Sequence, residues 1–450
     1  MTITENLEQY KYLSNNYIKR LQLYKLKRCV SFHYQNNKKY KAMMQASGVT
    51  PESIQSLQDL VKLPIITPIE LSQDRVNDFY SVDSSEIATY LETSGSTGRP
   101  KIIPVSYTER DIIFEQGALM YRLAGIGSTA LKNGRSSRSI YSLFPFGPWP
   151  GQFFLQHSGE ELASTIRADI RMPMEWHKER LTFFKPADLV TYPSFISFLY
   201  ESLKKDVDFL SLDLNRIVLA GEPFTESYRH KIETLFGTEV YDLYGCGEIG
   251  VAAAECTHSR KSGYMHWYSP NLILEVVNPQ TQKHVSDGEL GEMIVTNLWR
   301  TSVPIIRYKM GDLISTTTKK CPCDINLPLV SRISGRADET FQYGAASIYP
   351  SQIFDAIASA GIGDKFQVRI KYTIDKLSEK IILLVEESEN INVGEAKIKI
   401  NNFLRQLSPE FEQIVYGINF RPEIEVILVE NGTLFKQSQT KLKRIFDERI

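Results

Sequence analysis

Between residues 4 and 47, apolar and aromatic side chains recur at helical intervals: Leu7, Tyr10, Leu13, Tyr17, Leu21 and Tyr24. This spacing predicts a helical arm that lays one face on a larger body. Pro51, Pro64 and Pro68 then punctuate a run of short connections. From about residue 88 the texture changes. Short β-branched or aliphatic runs (Ile217-Val218-Leu219, Glu239-Val240-Tyr241, Leu272-Ile273-Leu274-Glu275-Val276) alternate with helical stretches at 193–206 and 225–236. The alternation predicts an α/β fold with parallel sheets and covering helices. Residues 272–309 hold strands in succession, broken at Asp287-Gly288 and Leu290-Gly291, which predicts an antiparallel or barrel-like β-subdomain.

After residue 339 the pattern reads as a separate unit. A helix at 351–359 precedes strands from Phe366 to Thr373 and from Lys380 to Glu387. A helix at 395–406 and a strand from Glu423 to Val429 follow. Strands with helices on one face make a small α+β domain of about 110 residues. The expected organisation is a large N-terminal domain, 1–337, and a C-terminal domain, 338–450, with the boundary near Gly335 to Asp338.

Charge and composition narrow the function classes. Lys and Arg number 52 against 53 Asp and Glu, a net charge of −1 that argues against a nucleic-acid partner. No apolar run approaches the roughly 18 residues of a membrane span, and the polar start lacks a signal region. Five cysteines in 450 residues are too few for a disulfide framework. The expectation is a soluble, cytoplasmic protein with a large core and no membrane partner.

The most informative segment is Glu92-Thr93-Ser94-Gly95-Ser96-Thr97-Gly98-Arg99-Pro100-Lys101. It is not a Walker A loop, because no Gly-Lys-Ser/Thr follows the glycines. Glycines let a backbone approach an anion, and hydroxyls add donors. Taken alone, the loop reads equally as a phosphate cradle or a polar turn.

Four further segments follow it: Tyr244-Gly245-Cys246-Gly247-Glu248, Arg307-Tyr308-Lys309-Met310-Gly311-Asp312, Gly335-Arg336-Ala337-Asp338 and Thr440-Lys441-Leu442-Lys443-Arg444. In this order the five resemble the motifs of the adenylate-forming superfamily of acyl-CoA synthetases, and the branch they resemble most is phenylacetate–CoA ligase. That branch has a similar helical start ending in Leu-Pro, here Leu63-Pro64, and a Cys-Pro-Cys before its hinge, here Cys321 to Cys323. The resemblance implies ATP-dependent activation of a carboxylic acid to an acyl-adenylate, then transfer to coenzyme A with release of AMP and pyrophosphate.

It also implies roles, residue by residue. Ser94, Gly95, Ser96, Thr97, Gly98 and Lys101 would cradle the β- and γ-phosphates of ATP. Gly221, Glu222 and Pro223 would line the adenine, with Asp242, Tyr244 and Gly245 beside it. Glu248 would hold Mg²⁺, since hard cations take carboxylate oxygen. Asp312 would accept hydrogen bonds from the ribose hydroxyls, and Arg336 would contact ribose or phosphate. Lys441 would reach the reacting phosphate from a mobile C-terminal lid turning about Asp338.

One stretch departs from the family. Gly344-Ala345-Ala346-Ser347 stands where relatives have something close to Arg-Gly-Val-Asn, and Ala345 adds a methyl where the thiol passes. The acceptor therefore stays open at this point. A carrier-protein thiol, an amine, or a cofactor hydroxyl taking the adenylyl group are alternatives to coenzyme A. A carrier protein and a second copy of the chain stay open as partners.

Cys256, His266, Cys321 and Cys323 form a Cys₃His set. By spacing alone, zinc and free buried thiols are both open, with His258 a rival ligand; the resemblance favours a structural zinc. Cys246 beside Glu248 reads as a packing residue. The run Phe144-Pro145-Phe146-Gly147-Pro148-Trp149-Pro150, then Phe153-Phe154 and Tyr192-Pro193-Ser194, falls where the family shapes its acyl pocket. Aromatic walls point to an aromatic or arylacetic acid, although part of such a run is ordinary core.

Overall fold

The computed structural model describes residues 3–93, 101–127, 139–337, 341–343, 346–348, 350–362, 365–372, 379–386, 392–407, 423–430, 432–434 and 444–448. The chain divides into two compact units, 1–221 with 233–333, and 222–232 with 334–450.

In the first unit the arm is three helices rather than one: α1 (Ile3–Tyr12), α2 (Asn15–Asn36) and α3 (Lys38–Ala46). Caps make the breaks. Ser14 Oγ accepts from the Tyr17 amide, and Asn37 Oδ1 accepts from the Tyr40 amide. Asn37 Nδ2 also donates to the Phe79 carbonyl at 2.7 Å, so its side chain is committed on both sides. The buried stripe of α2 differs from the expected one. Tyr17 and Tyr24 face solvent, at 53% and 58% exposure, while Ile18, Gln22, Leu26, Cys29, Val30 and His33 are buried. Gln22 donates to the Ser269 carbonyl and His33 to that of Arg300, so two polar residues in the stripe hid it from a hydrophobic reading. The proline-punctuated stretch folds as 3₁₀ turns, including Pro51–Ser53, Leu57–Lys62 and Pro68–Leu71.

β1 (Ile87–Thr93) and β2 (Lys101–Ser106) pair antiparallel, and α4 (Tyr107–Leu123) starts on a capping box of Ser106 and Glu109. Then come β3 (Ser139–Leu143), α5 (His157–Glu160), β4 (Ser164–Ala168), α6 (Met174–Phe184) and β5 (Asp188–Thr191). α7 (Pro193–Leu203), β6 (Arg216–Ala220), α8 (Glu226–Phe236) and β7 (Glu239–Cys246) follow. Strands β4, β3, β5, β6 and β7 lie in that order, all parallel. β5 is buried at every position, and so are the last four residues of β6, which is why these runs are apolar without alternation.

Beyond β7 the same sheet turns antiparallel, through β8 (Gly250–Ala254) and β9 (Tyr264–Trp267). β10 (Leu272–Val277), β11 (Gly291–Asn297) and β12 (Tyr308–Ile314) form a separate three-stranded antiparallel sheet, the expected β-subdomain. β13 (Thr316–Thr317) and β14 (Leu329–Ser331) complete the nine-stranded sheet against β9.

The second unit has a hairpin of β15 (Phe341–Tyr343) and β16 (Ala346–Ile348), then α9 (Pro350–Ser359), β17 (Phe366–Tyr372), β18 (Glu379–Glu386), α10 (Val393–Leu407), β19 (Glu423–Val429) and β20 (Ile445–Asp447). The sheet runs β19-β18-β17-β20. Alternate residues Phe366, Val368, Ile370 and Ile381, Leu383, Val385 join Ile357 of α9 and Ile400 of α10 in one core. No helix among the described residues is long and apolar enough to cross a membrane.

Candidate active site

β7 closes the parallel half of the large sheet, and ligands of such sheets bind beyond the carboxyl ends of the strands. Its ladder with β8 ends at Cys246 opposite Gly250, which leaves Gly247, Glu248 and Ile249 as the connection. Gly245 is forced here, because a Cβ would stand 2.7 Å from the Gly250 carbonyl oxygen. At Gly247 a Cβ would meet the tip of a side chain, Ile103 Cδ1, at 2.2 Å. Ile103 belongs to β2, and the same close approach brings Lys101 to the turn.

Lys101 Nζ lies 2.5 Å from Glu248 Oε1, and the Tyr308 hydroxyl donates to the same oxygen at 3.0 Å. Glu248 is only 2% exposed. Burial by itself would push its carboxyl up, but the Lys101 ammonium and hydrogen bonds from Lys101 and Cys246 reverse this and hold it at about 2. The carboxylate is charged at neutral pH, with its countercharge beside it. Burial and the Glu248 charge push the neighbouring Cys246 thiol well above its ordinary value, so it stays protonated and unreactive.

A second tyrosine–carboxylate bond mirrors the first. Tyr244 of β7 donates to Asp312 Oδ2 of β12 at 2.6 Å, while Tyr308 of β12 donates to Glu248. Each motif's carboxylate is thus held by the other motif's tyrosine. Tyr308 is placed by its neighbour Arg307, whose φ is 46° and whose Nε and Nη2 each meet the Glu275 carboxylate at 3.0 Å. Arg307 Nη1 also donates to the carbonyls of Val61 and Leu63, which ties the Leu63-Pro64 connection to this site.

Asp242 Oδ2 accepts from Arg332 Nε at 2.8 Å, and its amide donates to the fully buried Glu255 carboxylate at 2.7 Å. Gly221 sits at φ +82°, where a Cβ would come within 2.7 Å of the Tyr192 ring. Ser94, Gly95, Ser96, Thr97, Gly98, Asp338, Ala345 and Lys441 lie outside the described residues. Glu222, Pro223 and Arg336 belong to the second unit. Of the aromatic run, Phe144 and Phe154 are buried core, Trp149 and Phe153 are half-buried, and Phe146 is exposed. Phe144 meets Tyr192 edge-on at 4.9 Å, and Phe153 stands 5.2 Å from Phe114.

The cysteine–histidine set is assembled by strand pairing. Cys256 follows β8, His266 lies in β9 opposite Leu329 of β14, and Cys321 and Cys323 precede β14. One ligand atom from each of the four residues falls within 4.8 Å of all the others. His258 is exposed and outside the cluster. Cys256 Sγ to Cys321 Sγ is 3.5 Å, and Cys323 Sγ to His266 Nε2 is 3.3 Å. A tetrahedral zinc with Zn–S of about 2.3 Å needs ligand–ligand edges of about 3.8 Å, so small adjustments would close a shell. A hydrogen bond from Cys323 holds the Cys256 thiol far below its ordinary range; burial opposes His266's charge, but bonds to Cys256 and Cys321 push it up to about 9. The donor set fits a soft divalent cation.

Sequence reasoning missed Arg332 and Glu255 at Asp242, and Gln116, Asn297 and Arg300 behind the Glu248 turn. The one signal was a polar Asn and Arg inside Thr296-Asn297-Leu298-Trp299-Arg300, next to a strand buried throughout.

Residues 31–299 match the family model described as AMP-binding enzyme. Phenylacetate-coenzyme A ligase of Escherichia coli (strain K12) is 27% identical over 458 residues, which span 100% of this chain and 99% of that enzyme. The enzyme of the same name from Thermus thermophilus is 25% identical over 446 residues, 96% of this chain and 97% of its own. Among solved structures, 2-hydroxyisobutyryl-CoA ligase in the postadenylation state with 2-HIB-AMP superposes with a TM-score of 0.79 at 23% identity, covering 97% of this chain and 90% of that one. That likeness establishes the fold, with an N-terminal and a smaller C-terminal part. A family model that spans more than half of the chain decides the relationship: the chain belongs to the AMP-binding enzyme family.

Proposed function

We propose that this protein is an AMP-forming acid–CoA ligase. A substrate carboxylate oxygen attacks the α-phosphorus of ATP, and pyrophosphate leaves. The thiolate of coenzyme A then attacks the acyl carbonyl, and AMP leaves with the electron pair of the broken C–O bond. The observation that carries the reading is the crossed pair Tyr308–Glu248 and Tyr244–Asp312 at the carboxyl end of β7, with Lys101 on Glu248. Full-length similarity to phenylacetate-coenzyme A ligases supports the same chemistry.

In this reading Lys101 and the 94–100 loop take the phosphates, Asp312 takes the ribose hydroxyls, and Gly221 to Pro223 with Asp242 and Tyr244 take the adenine. Glu248 would hold Mg²⁺, which offsets phosphate charge when bound. Lys101 and Glu248 neutralise each other in the free protein, so bound nucleotide gives each a new partner of the same sign as the old. Arg336 acts from the segment just before the hinge at Asp338, and Lys441 from the C-terminal domain, 338–450. Catalysis rests on positioning and cationic stabilisation of the phosphoryl oxygens.

Half-buried Trp149 and Phe153 with Tyr192 support an aromatic or arylacetic acid. Cys256, His266, Cys321 and Cys323 would hold one structural zinc, because four protein ligands leave no position for a reacting water. Cytoplasmic location is part of the proposal. ATP–pyrophosphate exchange across benzoates, arylacetates and short fatty acids, followed by thioester formation with coenzyme A, tests it. Exchange with at least one aromatic acid is expected; no exchange with any acid overturns the reading. Lys441→Ala should abolish exchange while still forming thioester from a supplied acyl-adenylate.

A further inference from the structure

The turn that carries Glu248 is gripped from behind by side chains outside every motif. Its three carbonyls each accept a buried side-chain N–H. Gly247 O accepts from Arg300 Nη2 at 3.0 Å, Glu248 O from Asn297 Nδ2 at 3.2 Å, and Ile249 O from Gln116 Nε2 at 3.0 Å. Gln116 Nε2 donates again to the Val251 carbonyl at 2.7 Å. The donors also orient one another. Trp299 Nε1 donates to Gln116 Oε1 at 3.1 Å, and the Trp299 amide donates to Asn297 Oδ1 at 3.2 Å. Turning either amide over would set oxygen against carbonyl oxygen, so both orientations are determined.

Arg300 is the expensive member. It is 1% exposed, its Nη1 stands 3.5 Å from Glu109 Oε2, and its Nε and Nη1 find no hydrogen-bond partner among the described residues. Glu109 meanwhile caps the Thr301 and Ser302 amides. The guanidinium supplies two things: countercharge to the fully buried Glu109, whose loss costs stability, and a donor aimed at one carbonyl, that of Gly247.

We infer that Arg300, Asn297 and Gln116 are positioning residues for the nucleotide site, fixing the 247–249 backbone so that the Glu248 carboxylate meets the cation of a bound metal–nucleotide. The inference rests on the reading of Glu248 in the proposed function. Groups that orient a cation-binding carboxylate act on cation affinity, whereas groups that only hold the fold act on stability.

The experiment compares ATP binding by calorimetry with and without Mg²⁺, and the Mg²⁺ concentration that half-saturates ATP–pyrophosphate exchange. The proteins are wild type, Glu248→Gln, Arg300→Met, Arg300→Lys and Asn297→Leu. Gln22→Leu, which removes a buried amide donor far from the turn in sequence, controls for general destabilisation. Arg300→Met and Asn297→Leu are expected to lose about 10-fold of the Mg²⁺-dependent gain in ATP affinity. They should keep the Mg²⁺-free ATP affinity and the KM for the acid, and Arg300→Lys should recover part of the loss. If Arg300→Met does not fold, Asn297→Leu, which removes only a neutral amide, makes the same comparison. Variants that melt earlier yet keep the full Mg²⁺ gain, while Glu248→Gln loses it, overturn the inference and leave the ligase reading standing. A wild-type protein with no Mg²⁺ gain overturns the reading of Glu248, and the inference with it.

Discussion

Two buried polar clusters stand on neighbouring strands of one sheet, the first in the β7–β8 turn and the second between β8, β9 and β14, and they balance charge in opposite ways. The Glu248 cluster contains its own countercharge: Lys101 at 2.5 Å and a tyrosine hydroxyl at 3.0 Å satisfy the carboxylate without any ligand. The cysteine cluster has only thiols and one imidazole to share protons, and His266 Nδ1 is buried with no hydrogen-bond partner among the described residues. A self-neutralised site suits a ligand that arrives and leaves, because the free state costs little. A site of converging sulfur donors suits a cation that stays, because folding and binding then become one event. Chemistry should fail first when the one is broken, and stability first when the other is.

The largest effect belongs to Glu248→Gln. Loss of at least about 100-fold in ATP–pyrophosphate exchange is expected, with a small change in melting temperature, because Lys101 is 20% exposed and can turn to water. A large loss of stability with exchange intact would reverse the comparison. Cys321→Ser is the complementary break. Metal analysis should find about one zinc per wild-type chain and less in the variant. Melting should fall by roughly 5 °C, with exchange retained well below the transition. Wild-type protein that holds no zinc when prepared anaerobically sinks the metal half of the contrast.

Tyr308→Phe sharpens the first cluster. One hydrogen bond to a carboxylate is removed and the Lys101 pair is kept, so kcat/KM for ATP should fall by about 10-fold, less than in Glu248→Gln. The smallest effect is on pH dependence. Lys101 holds the Glu248 carboxyl at about 2, below its ordinary 4.5. A depressed carboxyl contributes stability above the ordinary value and loses it as pH falls through the folded one. Acid melting curves of wild type and Glu248→Gln should therefore converge as pH drops from about 4.5 toward 2. Parallel curves across that window would mean the pair adds nothing to stability.

Which parts of this architecture were legible in the chain follows from how local their causes are. The alternating runs of β17 and β18 announce a one-sided sheet, and Phe366, Val368 and Ile370 are indeed the buried set. Tyr244 to Glu248 and Arg307 to Asp312 were legible as motifs, because each packs its chemistry into five or six residues. Their crossing was not, since Tyr308 reaches Glu248 across 60 positions of sequence. The cysteine set and His266 were visible as residue types, but only the pairing of His266 with Leu329 shows how they converge while His258 stays exposed.

Local sequence thus decided the elements, the glycine at 245 and the identity of the charged groups, because each depends on neighbours within a turn or a strand pair. Folding decided the partners. Gln22 and His33 look like breaks in a hydrophobic stripe until the Ser269 and Arg300 carbonyls meet them. Gln116, Asn297 and Arg300 look like stray polar residues until three turn carbonyls arrive from strands more than a hundred, or about fifty, residues away. A buried polar side chain is intelligible only with its acceptor, and the acceptor is a backbone group that every residue carries, so composition and spacing leave no mark of it.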